Sequence, residues 1–155
     1  MIEKSKKLIL LDLDHTLIYG SYAEKEAAEF LFHYNKFLKV YVRHLTHELV
    51  EICKNKGDII VFTTALRSYA QNICKRLDIN PIELLSRKNC ILINQKHHKK
   101  VKQDWLDLYE QIIIIDDSPN VWINSTNAKI TFLVPNEFRG KKEDIGLQAI
   151  IASFL

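Results

Sequence analysis

The sequence predicts an α/β protein, a three-layer sandwich on a Rossmann-like parallel sheet with a β-hairpin flap after the first strand and no large cap domain. Three observations carry this. The runs Leu8-Ile9-Leu10-Leu11 and Ile112-Ile113-Ile114-Ile115 are apolar without alternation, as in strands buried on both faces of a parallel sheet. Such runs alternate with segments of helical period, the pattern of βαβ units. Each of the two runs ends in an acidic pair, Asp12 with Asp14 and Asp116 with Asp117. Ligands of open parallel sheets bind where strands deliver their carboxyl ends, so four carboxylates are expected to converge at one sheet edge.

The elements follow in order. Residues 7–13 form the first strand, and Gly20-Ser21 marks a polar turn. Residues 30–43, aromatic and β-branched around Tyr34-Asn35-Lys36, predict a hairpin beside the first acidic pair. Leu45, Leu49, Ile52 and Cys53 recur at helical spacing, which predicts a helix over 45–56 stopped by Gly57. Residues 58–64 are the second buried strand. Leu66, Ala70, Ile73 and Leu77 mark a second helix that ends near Asn80-Pro81, because proline disfavours helical backbone in the residue before it. The irregular segment 82–102 holds a strand candidate at 90–93. A helix over 101–109, a third buried strand over 112–115, a fourth strand over 129–134 and an amphipathic helix over 143–154 complete the chain.

At 155 residues the chain suits one domain, 1–155. Its 47% apolar and 26% charged residues are ordinary for a soluble protein, and no stretch approaches the ~20 apolar residues of a membrane span. Residues 1–7 do not read as a signal-peptide core, so the expected location is cytoplasmic. Cys53, Cys74 and Cys90 show no C-x-x-C spacing, which indicates neither a disulfide framework nor a zinc site. A net charge of +3 suits an anionic substrate and does not by itself argue for nucleic acid, and none is expected to bind directly.

Two unit charges of like sign about 4 Å apart repel by roughly 4 kcal/mol at an effective dielectric of about 20, so the clustered carboxylates require a cation. Oxygen ligands without a Cys or His set favour Mg²⁺ over zinc. Asp12 and Asp14, two residues apart, point to the same side, so one carboxylate can attack while the other handles a proton. Thr63, followed by Thr64, ends the second strand with a hydroxyl suited to a phosphoryl oxygen. The lysine-rich run 96–102 follows, and then Asp116-Asp117-Ser118-Pro119.

The order D-x-D-x-T, Thr, Lys, D-D resembles the haloacid dehalogenase superfamily of phosphohydrolases. Asp12-Leu13-Asp14-His15-Thr16-Leu17, Val40-Tyr41-Val42-Arg43-His44, Val61-Phe62-Thr63-Thr64-Ala65, Val101-Lys102 and Asp116-Asp117-Ser118-Pro119 narrow it to phosphatases of the FCP/SCP type. The resemblance implies that Asp12 is the nucleophile that forms an aspartyl phosphate and that Asp14 is the general acid and base. It implies Mg²⁺ held by Asp12, the Asp14 backbone carbonyl and either Asp116 or Asp117, with Thr63, Thr64 and a lysine binding the phosphoryl group. Lys102, in the family-like Val-Lys context, is the lysine expected to do so, and Lys99 and Lys100 compete with it. Two departures stand out. The family pattern D-N-S-P is Asp116-Asp117-Ser118-Pro119 here, and Arg-Pro-Gly is Arg43-His44-Leu45, a change expected to fall on the helix start.

The implied function is Mg²⁺-dependent hydrolysis of phosphorylated Ser, Thr or Tyr side chains in a protein or peptide. The alternatives are a phosphohydrolase of a metabolite or a nucleic-acid 3′-phosphate, and a catalytically silent phosphatase-like binding module. Intact Asp12 and Asp14 argue against the silent module.

Overall fold

The computed structural model describes residues 6–23 and 28–155. Of residues 1–7, read above as lacking a signal-peptide core, the first five lie outside the described residues. The central sheet is parallel throughout, in the order β10-β9-β1-β5-β6, formed by β1 (Lys7–Leu11), β5 (Asp58–Phe62), β6 (Glu83–Leu85), β9 (Gln111–Ile115) and β10 (Ile130–Leu133). Side chains of a strand alternate between faces, and the two apolar cores divide accordingly. Ile9, Leu11, Ile59, Val61, Ile113 and Ile115 enter one core with residues of α1 (Thr46–Lys56), α2 (Arg67–Arg76) and α4 (Gln148–Ala152). Leu8, Leu10, Ile60, Phe62, Ile112 and Ile114 enter the other, beneath Trp105 of α3 (Gln103–Leu108) and Trp122. This division is why the strand sequences show no polar alternation. Each fully buried aliphatic side chain contributes about 1.5–3 kcal/mol relative to exposure.

The predicted hairpin is present as β3 (Glu29–His33) against β4 (Lys39–Val42), with Asn35 Oδ1 accepting the Phe37 and Leu38 backbone N–H groups in its turn. It is part of a three-stranded antiparallel sheet, because Gly20 and Ser21, expected as a turn, lie in β2 (Ile18–Ser21) paired to β4. No large cap domain is inserted among the described residues. The 90–93 strand is β7 (Ile91–Ile93), which pairs with β8 (Lys96–His98) in a separate exposed hairpin and not with the central sheet.

The C-terminal helix is shorter than expected. Asp144 is drawn to Arg43, and Gly146 leaves no room for a Cβ against that guanidinium, so residues 143–147 wrap the arginine and helix begins only at Gln148. The expected 101–109 helix likewise shortens to α3. At the start of α1, Leu45 takes a left-handed φ of 71°, where the related pattern has glycine. The departure from Arg-Pro-Gly therefore falls on the helix start.

Candidate active site

Register brings the acidic pairs together. Leu11 of β1 stands opposite both Val61 of β5 and Ile115 of β9, so Asp12, Thr63 and Asp116 leave the sheet at the same carboxyl edge. The Asp12 N–H donates to the Ile115 carbonyl at 3.0 Å, carrying the pairing one residue past the strand. His15, with φ 65°, turns the chain back, and its N–H donates to the Ile18 carbonyl at 2.8 Å. The Thr16 hydroxyl thereby lies 2.9 Å from Asp12 Oδ2 and 3.1 Å from Asp117 Oδ1, and it accepts the Asp117 N–H at 3.1 Å.

Lys99 is the cation at the centre. Only 1% exposed, it donates from Nζ to Asp12 Oδ1 at 3.0 Å and to Asp116 Oδ2 at 2.8 Å. Asp116 Oδ2 also accepts the Trp122 indole N–H at 2.9 Å, and its Oδ1 accepts the Ser118 N–H at 2.9 Å. The register through the lysine run thus differs from the expectation that chose Lys102. Lys102 has a side chain 49% exposed and pairs with Glu83 at 3.5 Å, away from the carboxylates. The reason lies in long-range pairing: Lys99 donates its N–H to the Val121 carbonyl and accepts the Ile123 N–H, which seats it beside Asp116. Trp122, a core side chain, is also a donor to the site.

Asp12, Asp116 and Asp117 offer oxygens within 4.8 Å of one another. Three carboxylates against one lysine leave negative charge in excess. Burial raises the Asp12 carboxyl above its ordinary range despite Lys99, and it lifts Asp116 to about 6. An all-oxygen donor set with surplus negative charge fits Mg²⁺. Asp14 is also raised by burial, while the Tyr69 hydroxyl donates to its Oδ1 at 3.1 Å. That donor passes Gly20, where any Cβ would crowd the tyrosine hydroxyl. Thr63 is buried, its Oγ1 accepting the Ala65 N–H at 3.1 Å. Thr64 contributes its carbonyl to Arg87 at 2.9 Å.

The chain is 31% identical over 134 residues to the uncharacterized protein C2F7.02c of Schizosaccharomyces pombe, covering 78% of this chain and 39% of that protein. It is 29% identical over 127 residues to Phosphatase PSR1 of Saccharomyces cerevisiae, covering 77% of this chain and 30% of that one. The chain therefore spans less than half the length of these curated relatives. The fold resembles that of the fission yeast RNA polymerase II CTD phosphatase Fcp1 bound to beryllium fluoride, with a TM-score of 0.62 at 15% identity over 88% of this chain and 43% of that one. Residues 7–155 match the family described as NLI interacting factor-like phosphatase, and the chain belongs to that family.

Proposed function

We propose that this chain hydrolyses phosphorylated side chains of proteins, with Mg²⁺ bound and with Asp12 as nucleophile. The observation that carries this reading is the buried Lys99 bridging two strand-end carboxylates, with a third carboxylate alongside, in a member of a phosphatase family. Asp12 and Asp117 would hold the ion, together with the Asp14 backbone carbonyl. Asp117 is the better ligand of its pair because Asp116 is already paired to the Lys99 ammonium and held by Trp122 and Ser118, whereas the Asp117 oxygens meet only the neutral hydroxyls of Thr16 and Ser118. Bound Mg²⁺ supplies charge neutralisation for the phosphoryl group.

An Asp12 carboxylate oxygen forms a bond to phosphorus as the ester P–O bond breaks, and Asp14 gives its proton to the departing oxygen. Asp14 then takes a proton from a water whose oxygen attacks phosphorus, the P–O bond to Asp12 breaks, and phosphate leaves. Burial favours the protonated Asp14 that the first step needs. Lys99 balances charge on the phosphoryl oxygens, and the Thr63 hydroxyl donates to one of them. Lys99 replaces Lys102 in this reading. The absence of a large cap among the described residues supports an open site that admits a peptide segment, and the relatives named as phosphatases point the same way. The test is kcat/KM for phosphopeptides, sugar phosphates and 3′-phosphorylated oligonucleotides, with Mg²⁺ and with excess chelator. Phosphopeptides should lead only with Mg²⁺. Preference for another class would overturn the substrate, and full activity in chelator would overturn the mechanism.

A further inference from the structure

Segment 86–102 carries Arg87, Lys88, Lys96, Lys99, Lys100 and Lys102 without one acidic residue. Lys99 turns into the site and the other five are exposed. Adjacent residues of an extended segment point to opposite sides, so Lys100 faces away from the carboxylates into a cavity of about 770 Å³. Lys102, Ile91 and Leu106 also line it, and its wall reaches Phe62, the residue before Thr63. Asp104 is the acidic residue among the lining groups. Asn89 and Ile91 line the groove, while Cys90 between them directs its Sγ to the Thr63 carbonyl at 3.7 Å, so this segment borders both the groove and the end of β5. Along the rim, β7 exposes Ile91 (40%) and Ile93 (39%), which share a face.

We infer that this groove receives an acidic segment of the substrate, flanking the phosphorylated side chain and carrying at least one aliphatic residue. The inference rests on the phosphoprotein reading above. Charge complementarity identifies the occupant: the cations that line and border the groove match carboxylates, and the exposed isoleucines match an aliphatic side chain rather than a nucleic-acid backbone. A chain crossing the 89–91 segment out of the site enters the groove directly. The lysine run thus divides its work, with Lys99 serving the phosphoryl group and Lys100 and Lys102 serving the flank.

The experiment compares two phosphopeptides that differ only in flank, one with Asp, Glu and Leu and one with Gln in their place, together with para-nitrophenyl phosphate. Wild type should show a KM about three- to tenfold lower for the acidic flank, narrowing with added salt, as a few exposed charges allow. The K100E/K102E variant should lose that preference while hydrolysing para-nitrophenyl phosphate at the wild-type rate. The single K100E variant, which leaves the Lys102–Glu83 pair intact, should lose part of it. Equal kcat/KM for both flanks in wild type, or retained preference in K100E/K102E, would overturn the groove. Failure to hydrolyse any of the three substrates would instead overturn the phosphatase reading. Anisotropy titration of the fluorescent acidic peptide then decides the groove alone: equal affinity for the acidic and Gln peptides overturns it, as does tighter binding of an oligonucleotide of equal charge.

Discussion

Two buried cations organise this molecule, and their surroundings are opposite. Arg43 is balanced: it donates to both Asp144 oxygens at 2.6 and 3.1 Å, to Asn136 Oδ1 at 2.6 Å and to the Thr16 carbonyl at 3.1 Å, against one carboxylate. Lys99 faces Asp12 and Asp116 with Asp117 beside them, so its network carries surplus negative charge. A balanced buried pair ties distant segments together, here the 16–17 turn, the end of β4 and residues 136–146. An unbalanced one holds charge ready for a ligand. The same ingredients therefore make a structural tie in one place and, in the proposed function, a reaction centre in the other.

The largest effect should come from breaking the balanced pair. Asp144→Ala leaves a buried guanidinium without its carboxylate and should cost about 3 to 5 kcal/mol of stability, measured by urea denaturation, while the folded fraction keeps kcat within a few-fold. Next comes the unbalanced cation. Lys99→Ala should lower kcat/KM by about 3 to 4 kcal/mol, a few hundredfold, and Lys102→Ala should leave hydrolysis of a small aryl phosphate within about twofold. A crippled Lys102→Ala with near-normal Lys99→Ala would reverse the assignment.

Much of this contrast was illegible in the sequence for a physical reason. Leu8–Leu11 and Ile112–Ile115 declare themselves because burial on both faces removes polar alternation, and Asp12, Asp14, Thr63, Asp116 and Asp117 follow from strand ends. The partner of Arg43 lies 101 residues away, and nothing local in Glu143-Asp144-Ile145-Gly146 distinguishes a loop bound to an arginine from the first turn of a helix. Choosing Lys99 over Lys102 depends on pairing with Val121 and Ile123, which spacing within 96–102 does not encode. Gly20-Ser21 reads as a turn because only the pairing to β4 makes it a strand. β6 is three residues long, defined by its pairing to β5.

A smaller effect concerns pH. Asp116 is raised from 3.8 to about 6, mainly by burial, so the folded state holds this proton more tightly than the unfolded chain. Its contribution to stability is complete below the unfolded value and is lost as pH rises through about 4 to 6, a change of about 3 kcal/mol at 1.36 kcal/mol per pKa unit. In excess chelator, Tm should therefore fall across that window, less so in Asp116→Asn, and Mg²⁺ should recover part of the loss near pH 7. A Tm that rises over the window in wild type relative to Asp116→Asn would contradict the charge surplus. The smallest effect is at Asp14. Tyr69→Phe removes a donor to its carboxylate, worth about 1 kcal/mol, so the alkaline limb of the kcat/KM profile should move to higher pH with less than tenfold change in kcat.

The central claim is that the unbalanced network attacks phosphorus through Asp12. Borohydride reduces an acyl phosphate to the alcohol, so quenching a turning-over sample with borohydride and mapping the peptide by mass spectrometry reads the nucleophile directly. Homoserine at position 12, dependent on substrate and absent from Lys99→Ala quenched at the same time, is the expected result. Homoserine at position 14, or an unmodified residue 12 while phosphate is still being released, would contradict it.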